Sequence, residues 1–158
     1  LRKSFLIFPL LLLLVFPCGF AKAPPSHYLV ERVVDGDTIK LSNGERVRYL
    51  EIDTPETKHP KKPVQYFGRE AYEANRGLVE GKEVRLEFDE VKRDKYGRLL
   101  AYVYVDDVFV NAWLVENGYA RVMSYPPNDR YQNMLLRLQW EASENDRGMW
   151  AAEDGHKL

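Results

Sequence analysis

The stretch Tyr28-Leu29-Val30-Glu31-Arg32-Val33-Val34-Asp35-Gly36-Asp37-Thr38-Ile39-Lys40-Leu41-Ser42-Asn43-Gly44-Glu45-Arg46-Val47-Arg48-Tyr49-Leu50-Glu51-Ile52 reads as three strands and two turns. Tyr28 to Val34 is the first strand, Thr38 to Leu41 the second, and Glu45 to Ile52 the third. Asp35-Gly36 and Asn43-Gly44 join them, and both dipeptides tolerate the backbone that tight hairpins need. Asp37 shares strand parity with Ile39 and Leu41, so an acid falls in register with core residues. That placement is costly unless the carboxylate is paired or bound to a metal.

Working outward, Lys82 to Phe88 alternates, with Val84, Leu86 and Phe88 on one face, and Leu99 to Val105 is a fifth strand. Phe67, Ala71, Ala74 and Leu78 recur at helical spacing, and Gly81 ends that helix. A short helix from about Asn111 ends at Gly118. A longer one starts near Asn128 or Asp129, carries Tyr131, Leu135, Leu138 and Ala142 on one face, and stops at Gly148. Five short strands with a helix between the third and fourth predict an α+β fold: a five-stranded Greek-key barrel of the OB type with three helices.

The N-terminus has a different character. Arg2 and Lys3 precede an apolar run from Phe5 to Phe16, and Gly19-Phe20-Ala21 offers small residues to a signal peptidase. Residues 1–21 are expected to be a secretory signal, 22–27 a short linker, 28–152 the folded domain and 153–158 a polar tail. The protein is then exported, to an extracellular or periplasmic location. Cys18, the only cysteine, lies in the signal, so the mature chain has neither disulfide nor thiolate chemistry. Pro17 in front of Cys18 argues against lipidation there. Without Arg2 and Lys3 the chain has 21 basic and 24 acidic residues. That balance excludes a protein that coats nucleic acid by charge alone, but not an enzyme with a local basic cleft.

Two acidic stretches hold the chemistry, Asp35-Gly36-Asp37-Thr38 and the run from Asp53-Thr54-Pro55-Glu56-Thr57 to Lys62. Each sets carboxylates at a strand end. Hard oxygen ligands suit Ca²⁺ or Mg²⁺. Arg48 lies between the two stretches and Arg98 closes Asp94-Lys95-Tyr96-Gly97-Arg98. Guanidinium forks match phosphate oxygens, and a further carboxylate suits a water that must lose a proton. Together these groups point to metal-assisted phosphodiester hydrolysis. Taken singly, each motif is an ordinary turn. Strict alternation also puts Asp53 on the face opposite Arg48, so a bend at the strand end is required. His27, His59 and His156 lack metal-ligand spacing and read as surface residues. Trp113, Trp140 and Trp150 read as packing groups.

The constellation resembles the staphylococcal nuclease, or thermonuclease, family from about Tyr28 to Trp150. Asp35 to Thr38, Asp53 to Lys62 and Asp94 to Arg98 carry the resemblance, with Leu100-Ala101-Tyr102, Val110-Asn111 and Gly148-x-Trp150 similar too. The resemblance implies an OB barrel and a Ca²⁺ site from Asp37, Asp53 and the Thr54 carbonyl. It implies catalytic roles for Arg48, Glu56 and Arg98, with Lys95, Tyr96 and a later tyrosine holding the nucleotide. Tyr125, in Met123-Ser124-Tyr125-Pro126-Pro127-Asn128, is the candidate for that tyrosine, although the stretch is one residue shorter than the family pattern. The expected activity is Ca²⁺-dependent hydrolysis of DNA and RNA without sugar specificity, giving 3′-phosphate ends. Single strands are the expected preference, and a monomer the expected state. The competing class is an OB-type module that binds nucleic acid or protein without cutting.

Overall fold

The computed structural model describes residues 27–57 and 63–151. The signal, linker residues 22–26, Cys18, the Lys58 to Lys62 run with His59, residue 152, His156 and the polar tail lie outside the described residues, whereas His27, expected in the linker, opens the first strand. In chain order the elements are β1 (His27–Asp35), β2 (Thr38–Leu41), β3 (Arg46–Tyr49), β4 (Ile52–Asp53), α1 (Gly68–Val79), β5 (Glu83–Glu87), β6 (Leu99–Val105), β7 (Val108–Phe109), α2 (Val110–Glu116), β8 (Arg121–Val122) and α3 (Gln132–Glu144), followed by a 3₁₀ turn (Gly148–Trp150).

Antiparallel pairing links β3 to β2, β2 to β1, β1 to β5 and β5 to β6. The barrel closes where β6 returns to β3 in parallel, with Arg48 opposite Leu100. Closure removes the free edges that an open sheet would expose. This is the expected five-stranded barrel with three helices; β7 extends one side and β4 pairs with β8 beside it. Register shifts in β1 between Val30 and Arg32 and between Val33 and Asp35 are bulges, which coil the hairpin as closure requires.

The core follows the strand periodicity. Val30, Ile39, Leu41, Val47, Val84, Ala101 and Val103 are buried inside, against Val110, Leu114 and Leu135 from α2 and α3. β6 is buried on both faces. Its other face sets Leu100 and Tyr102 with Leu50 in a second cluster, against which Tyr104, Phe109, Tyr125 and Tyr131 pack. Buried amides serve the loops. Asn111 Nδ2 donates to the Leu50 carbonyl at 2.9 Å while its Oδ1 accepts from Val103 N–H at 3.0 Å. Among the described residues no helix is long and apolar enough to cross a membrane.

Two expectations need correction. The third strand does not run unbroken from Glu45 to Ile52: β3 stops at Tyr49 and a turn at Leu50-Glu51 separates it from β4. The last helix starts at Gln132, because residues 125–128 form a turn closed by the Tyr125 to Asn128 bridge. Trp113 and Trp150 lie partly buried against Tyr119 and Arg121, as packing groups should. Trp140 is 65% exposed and is not one. His27 is exposed on β1.

Candidate active site

The Leu50-Glu51 turn makes the bend that alternation demanded. Glu51 takes a left-handed backbone, φ 60°, a conformation uncommon for a residue with a Cβ. Its carboxylate is buried and pinned: Tyr102 Oη donates to Oε2 at 2.6 Å and Tyr131 N–H donates to the same oxygen at 2.9 Å. Oε1 is buried without a hydrogen-bond partner among the described residues. Burial, foremost, pushes this carboxyl above the usual range, and the charges of Asp129 and Asp89 add to it. The Glu51 carbonyl accepts from Met123 N–H at 2.8 Å. Two residues on, Asp53 has swung round to the guanidinium it would otherwise face away from.

Arg48 fills the bend. Its Nη1 donates to the carbonyls of Tyr49 (2.9 Å) and Ile52 (2.7 Å), tying the turn closed. Its Nη2 meets Asp53 Oδ1 at 2.7 Å and Asp37 Oδ2 at 3.2 Å. Two carboxylates, one from the turn between β1 and β2 and one from β4, thus converge on one nitrogen. Asp37 is buried, as its strand parity foretold, and it is satisfied: Oδ2 accepts from Thr54 N–H (3.0 Å) and Thr54 Oγ1 (3.1 Å), and Oδ1 from Thr38 Oγ1 (2.9 Å). Gly36 is needed here, since a Cβ at that position would lie 2.6 Å from Thr54 Oγ1. The structure therefore brings Asp37, Arg48, Asp53 and Thr54 together.

Glu56 follows two residues after Thr54. Its backbone is clamped by Gln65, whose N–H donates to the Glu56 carbonyl at 3.0 Å and whose Oε1 accepts from Glu56 N–H at 2.8 Å. Gly68 at the start of α1 passes so close that a Cβ would meet the Pro55 carbonyl at 3.0 Å. The Glu56 side chain hydrogen-bonds to the Asp35 carboxyl. Burial first, and this contact second, push Asp35 up to about 6. Two adjacent carboxyls cannot both ionise freely, so they share a proton at lower pH. Asp35 also accepts from Thr57 Oγ1 at 2.8 Å.

Arg98, Lys95 and Tyr96 sit on the turn that leads into β6. Asp94 organises that turn. Its Oδ1 accepts from the N–H groups of Tyr96 and Arg98, both at 2.9 Å, and its Oδ2 from Arg98 Nε at 2.7 Å. The Arg98 ion pair holds the Asp94 carboxyl below the usual range despite its burial. Among the described residues Arg98 spends only Nε of its guanidinium, which leaves both terminal nitrogens for other partners. Arg93 fastens the base of the turn, with two hydrogen bonds of 2.9 and 2.8 Å to Glu45. Tyr96 is 72% exposed, with Lys95 Nζ 5.1 Å and Arg98 Cζ 5.6 Å from its ring. Tyr125 is different, partly buried against the Leu50, Leu100 and Tyr102 cluster.

Among the described residues no three His, Cys, Asp or Glu side chains form a ready-made metal cluster. The expected set needs only two carboxylates and a carbonyl. Hard oxygens of Asp37 and Asp53 that already converge on one cationic nitrogen fit a Ca²⁺ ion. Asp35 and Asp94 stand within the sequence motifs without a role that the sequence alone assigns, and Glu51 and Gln65 carry no motif at all. The spacing of Gln65 from Glu56 offered no signal, because their clamp depends on the loop between them.

Residues 46–152, more than half of the chain, match the family described as staphylococcal nuclease homologue. The chain is 44% identical over 126 residues to a thermonuclease of Staphylococcus intermedius, covering 78% of this chain and 75% of that protein. It is 38% identical over 136 residues to a thermonuclease of Staphylococcus hyicus, covering 84% and 80%. It is also 46% identical over 127 residues to endonuclease YncB of Bacillus subtilis (strain 168), covering 77% of this chain and 60% of that protein. With its closed barrel, its three helices and these relatives, the chain belongs to the staphylococcal nuclease family and is a hydrolytic nuclease of the thermonuclease type.

Proposed function

We propose that this nuclease hydrolyses phosphodiester bonds of DNA and RNA in a Ca²⁺-dependent reaction without sugar specificity, leaving 3′-phosphate ends. The observation that carries the reading is the convergence of Asp37, Asp53 and Arg48 at one bend, with Glu56 clamped three residues beyond Asp53. Asp37, Asp53 and the Thr54 carbonyl would hold the ion. When bound it supplies positive charge that screens the phosphate and orients a water.

The chain's own residues supply the rest. Arg48 spends Nη1 on the Tyr49 and Ile52 carbonyls and Nη2 on Asp53 and Asp37, so Nε is the donor it offers a phosphate directly, and Nη2 joins it where those carboxylates turn to an ion. Arg98 spends Nε on Asp94 and offers its two terminal nitrogens. Both guanidinium groups stabilise the charge that grows on the equatorial oxygens as water attacks phosphorus in line. Glu56 takes the proton of that water. Asp35 beside it carries the shared proton at low pH and releases it above about 6, leaving Glu56 free to act as base. The 5′-oxygen departs. Lys95 and Tyr96 hold the nucleotide, and Tyr125 contributes from the turn before α3.

An exposed aromatic beside two cations suits unpaired bases, so single strands are the favoured substrate. The protein acts as a monomer and reaches an extracellular or periplasmic location through the signal in residues 1–21. Incubation with end-labelled single-stranded DNA and RNA, followed by end-group analysis, tests the proposal. Products with 3′-phosphates from both nucleic acids are expected. Tight binding without cleavage would replace the enzyme by a binding module.

A further inference from the structure

The register of the barrel gives the site two sides. Arg48 lies between Thr38 of β2 and Leu100 of β6. The Lys95-Tyr96 turn leads into β6 on one side. Asp37, Asp35, Glu56 and Gln65 lie on the β2 side. The nucleotide contacts assigned above are all on the first side, and the second carries an arrangement that the mechanism leaves unused.

Directly after the Gln65 clamp, Phe67 takes a left-handed backbone, φ 64°. That is uncommon for an aromatic residue and is the kind of local strain that gathers at functional sites. The turn aligns a column of four rings. Tyr66 is tilted against Phe67 at 5.8 Å, Phe67 stacks on Tyr119 at 5.6 Å, and Tyr119 stacks on Trp113 at 5.7 Å with the planes 7° apart. The last three rings are partly buried. Tyr66 ends the column 57% exposed. Beside it in sequence, Thr57, Val64, Arg69, Tyr72 and Glu73 line a cleft of about 350 Å³ that starts at the residue after Glu56. That volume is at the lower end of ligand clefts, about 300–1,000 Å³. Its acid, Glu73, is neutralised by Arg76 at 2.8 Å. Arg69 makes no ion pair among the described residues.

We propose that Tyr66 is a base-stacking platform for the nucleotide that lies past Glu56, with Arg69 in the cleft holding its phosphate. The occupant is the continuation of the substrate strand, so the inference rests on the nuclease reading above. Three features argue for that occupant over a protein partner. The surface is continuous with the clamp on Glu56, its uncompensated charge is cationic, and its exposed ring is braced from behind by a stack of three others. A strand lying across the site would be gripped on both sides of the scissile phosphate, by Tyr96 on one and Tyr66 on the other.

The test compares kcat/KM for a single-stranded octanucleotide with that for a dinucleotide, in the wild type, Tyr66→Ala, Tyr66→Phe and Arg69→Gln. Base stacking is worth about 1–3 kcal/mol, so the octanucleotide-to-dinucleotide ratio should fall about tenfold in Tyr66→Ala and recover in Tyr66→Phe. Arg69→Gln should lower the slope of log affinity against log salt by about 0.7, the loss of one phosphate contact on a single strand. Circular dichroism and the dinucleotide rate, both expected at wild-type level in Tyr66→Ala, show that the variant is folded, so that its ratio reports on the platform alone. A wild type that cleaves, with the same ratio in Tyr66→Ala, overturns the platform and leaves the nuclease standing. A wild type that cleaves neither substrate overturns the nuclease reading and the platform with it.

Discussion

Tyr102 Oη donates a 2.6 Å hydrogen bond to Glu51 Oε2 across 51 residues of sequence. The bond holds a left-handed glutamate at the bend that turns Asp53 toward Arg48. Tyr131 N–H addresses the same oxygen, so strand β6 and the start of α3 both depend on one carboxylate. Glu51→Ala should therefore cost about 1–3 kcal/mol, because it strips the acceptor from the Tyr131 N–H and leaves Tyr102 Oη only its 3.3 Å contact with Asp89 Oδ2. Glu51→Gln should lose much less, since its amide oxygen can accept both. Urea unfolding of the two variants checks this; an alanine variant as stable as wild type would remove Glu51 from the account of the bend.

Asp35 makes a prediction about pH. Its carboxyl is pushed from 3.8 up to about 6, by burial first and by Glu56 second. A raised acid favours the fold below the unfolded value, and its contribution is lost as pH rises through the folded value. Asp35 thus stabilises the metal-free fold below pH 3.8 and ceases to do so above about 6. The stability of Asp35→Asn relative to wild type should rise across that window. Unfolding midpoints at pH 4 and pH 7 measure it, and a relative stability that stays level would contradict the shared proton.

Arg48→Ala and Arg98→Ala should each lower kcat by about 10²–10³-fold, the usual loss when one donor to developing charge is removed. Lysine should rescue poorly at either position, because a point charge cannot fork. Asp94→Ala should lower kcat by less than Arg98→Ala, since it frees Arg98 Nε and loosens the turn but leaves the guanidinium present. Single-turnover rates at saturating enzyme separate these effects from binding. Near-normal turnover in either arginine variant would exclude that residue from the mechanism.

The two tyrosines assigned to the nucleotide should separate. Tyr96 is largely exposed, so Tyr96→Ala should weaken oligonucleotide binding by about 1–3 kcal/mol without lowering Tm. Tyr125 packs on Leu50, Leu100 and Tyr102, so Tyr125→Ala should lower Tm as well as affinity. Calorimetry together with binding of a single-stranded oligonucleotide decides. If binding by Tyr125→Ala is unchanged while Tm falls, Tyr125 is a packing residue only.

The barrel was legible because its signals are local. Asp35-Gly36 and Asn43-Gly44 mark hairpins by their own chemistry, and the alternation of Val84 with Leu86 marks a face. The burial of Asp37 was legible for the same reason, through its parity with Ile39 and Leu41. The bend at Glu51 was not. Glutamate is no signal for a left-handed turn, and the two donors that make it tolerable come from 51 and 80 residues away. Gln65 escaped notice because its clamp on Glu56 requires the intervening loop to return. The start of α3 was placed early because Asn128 resembles a helix cap, whereas its side chain bonds to Val91 N–H and carbonyl, both at 2.8 Å.

The most direct test of the central claim is the initial rate of oligonucleotide hydrolysis as Ca²⁺ is titrated into chelator-treated protein. Two carboxylates and a carbonyl make an open site of low charge, so saturation is expected on the order of 10⁻⁴–10⁻³ M, as in extracellular modules. Mg²⁺, which demands octahedral geometry and gives up water reluctantly, should rescue poorly. Asp37→Ala should need more Ca²⁺ and reach a lower rate. Hydrolysis should be absent in excess chelator and return to its full rate with Ca²⁺. Full activity in excess chelator, or equal rates with Mg²⁺ and Ca²⁺, would contradict the central claim.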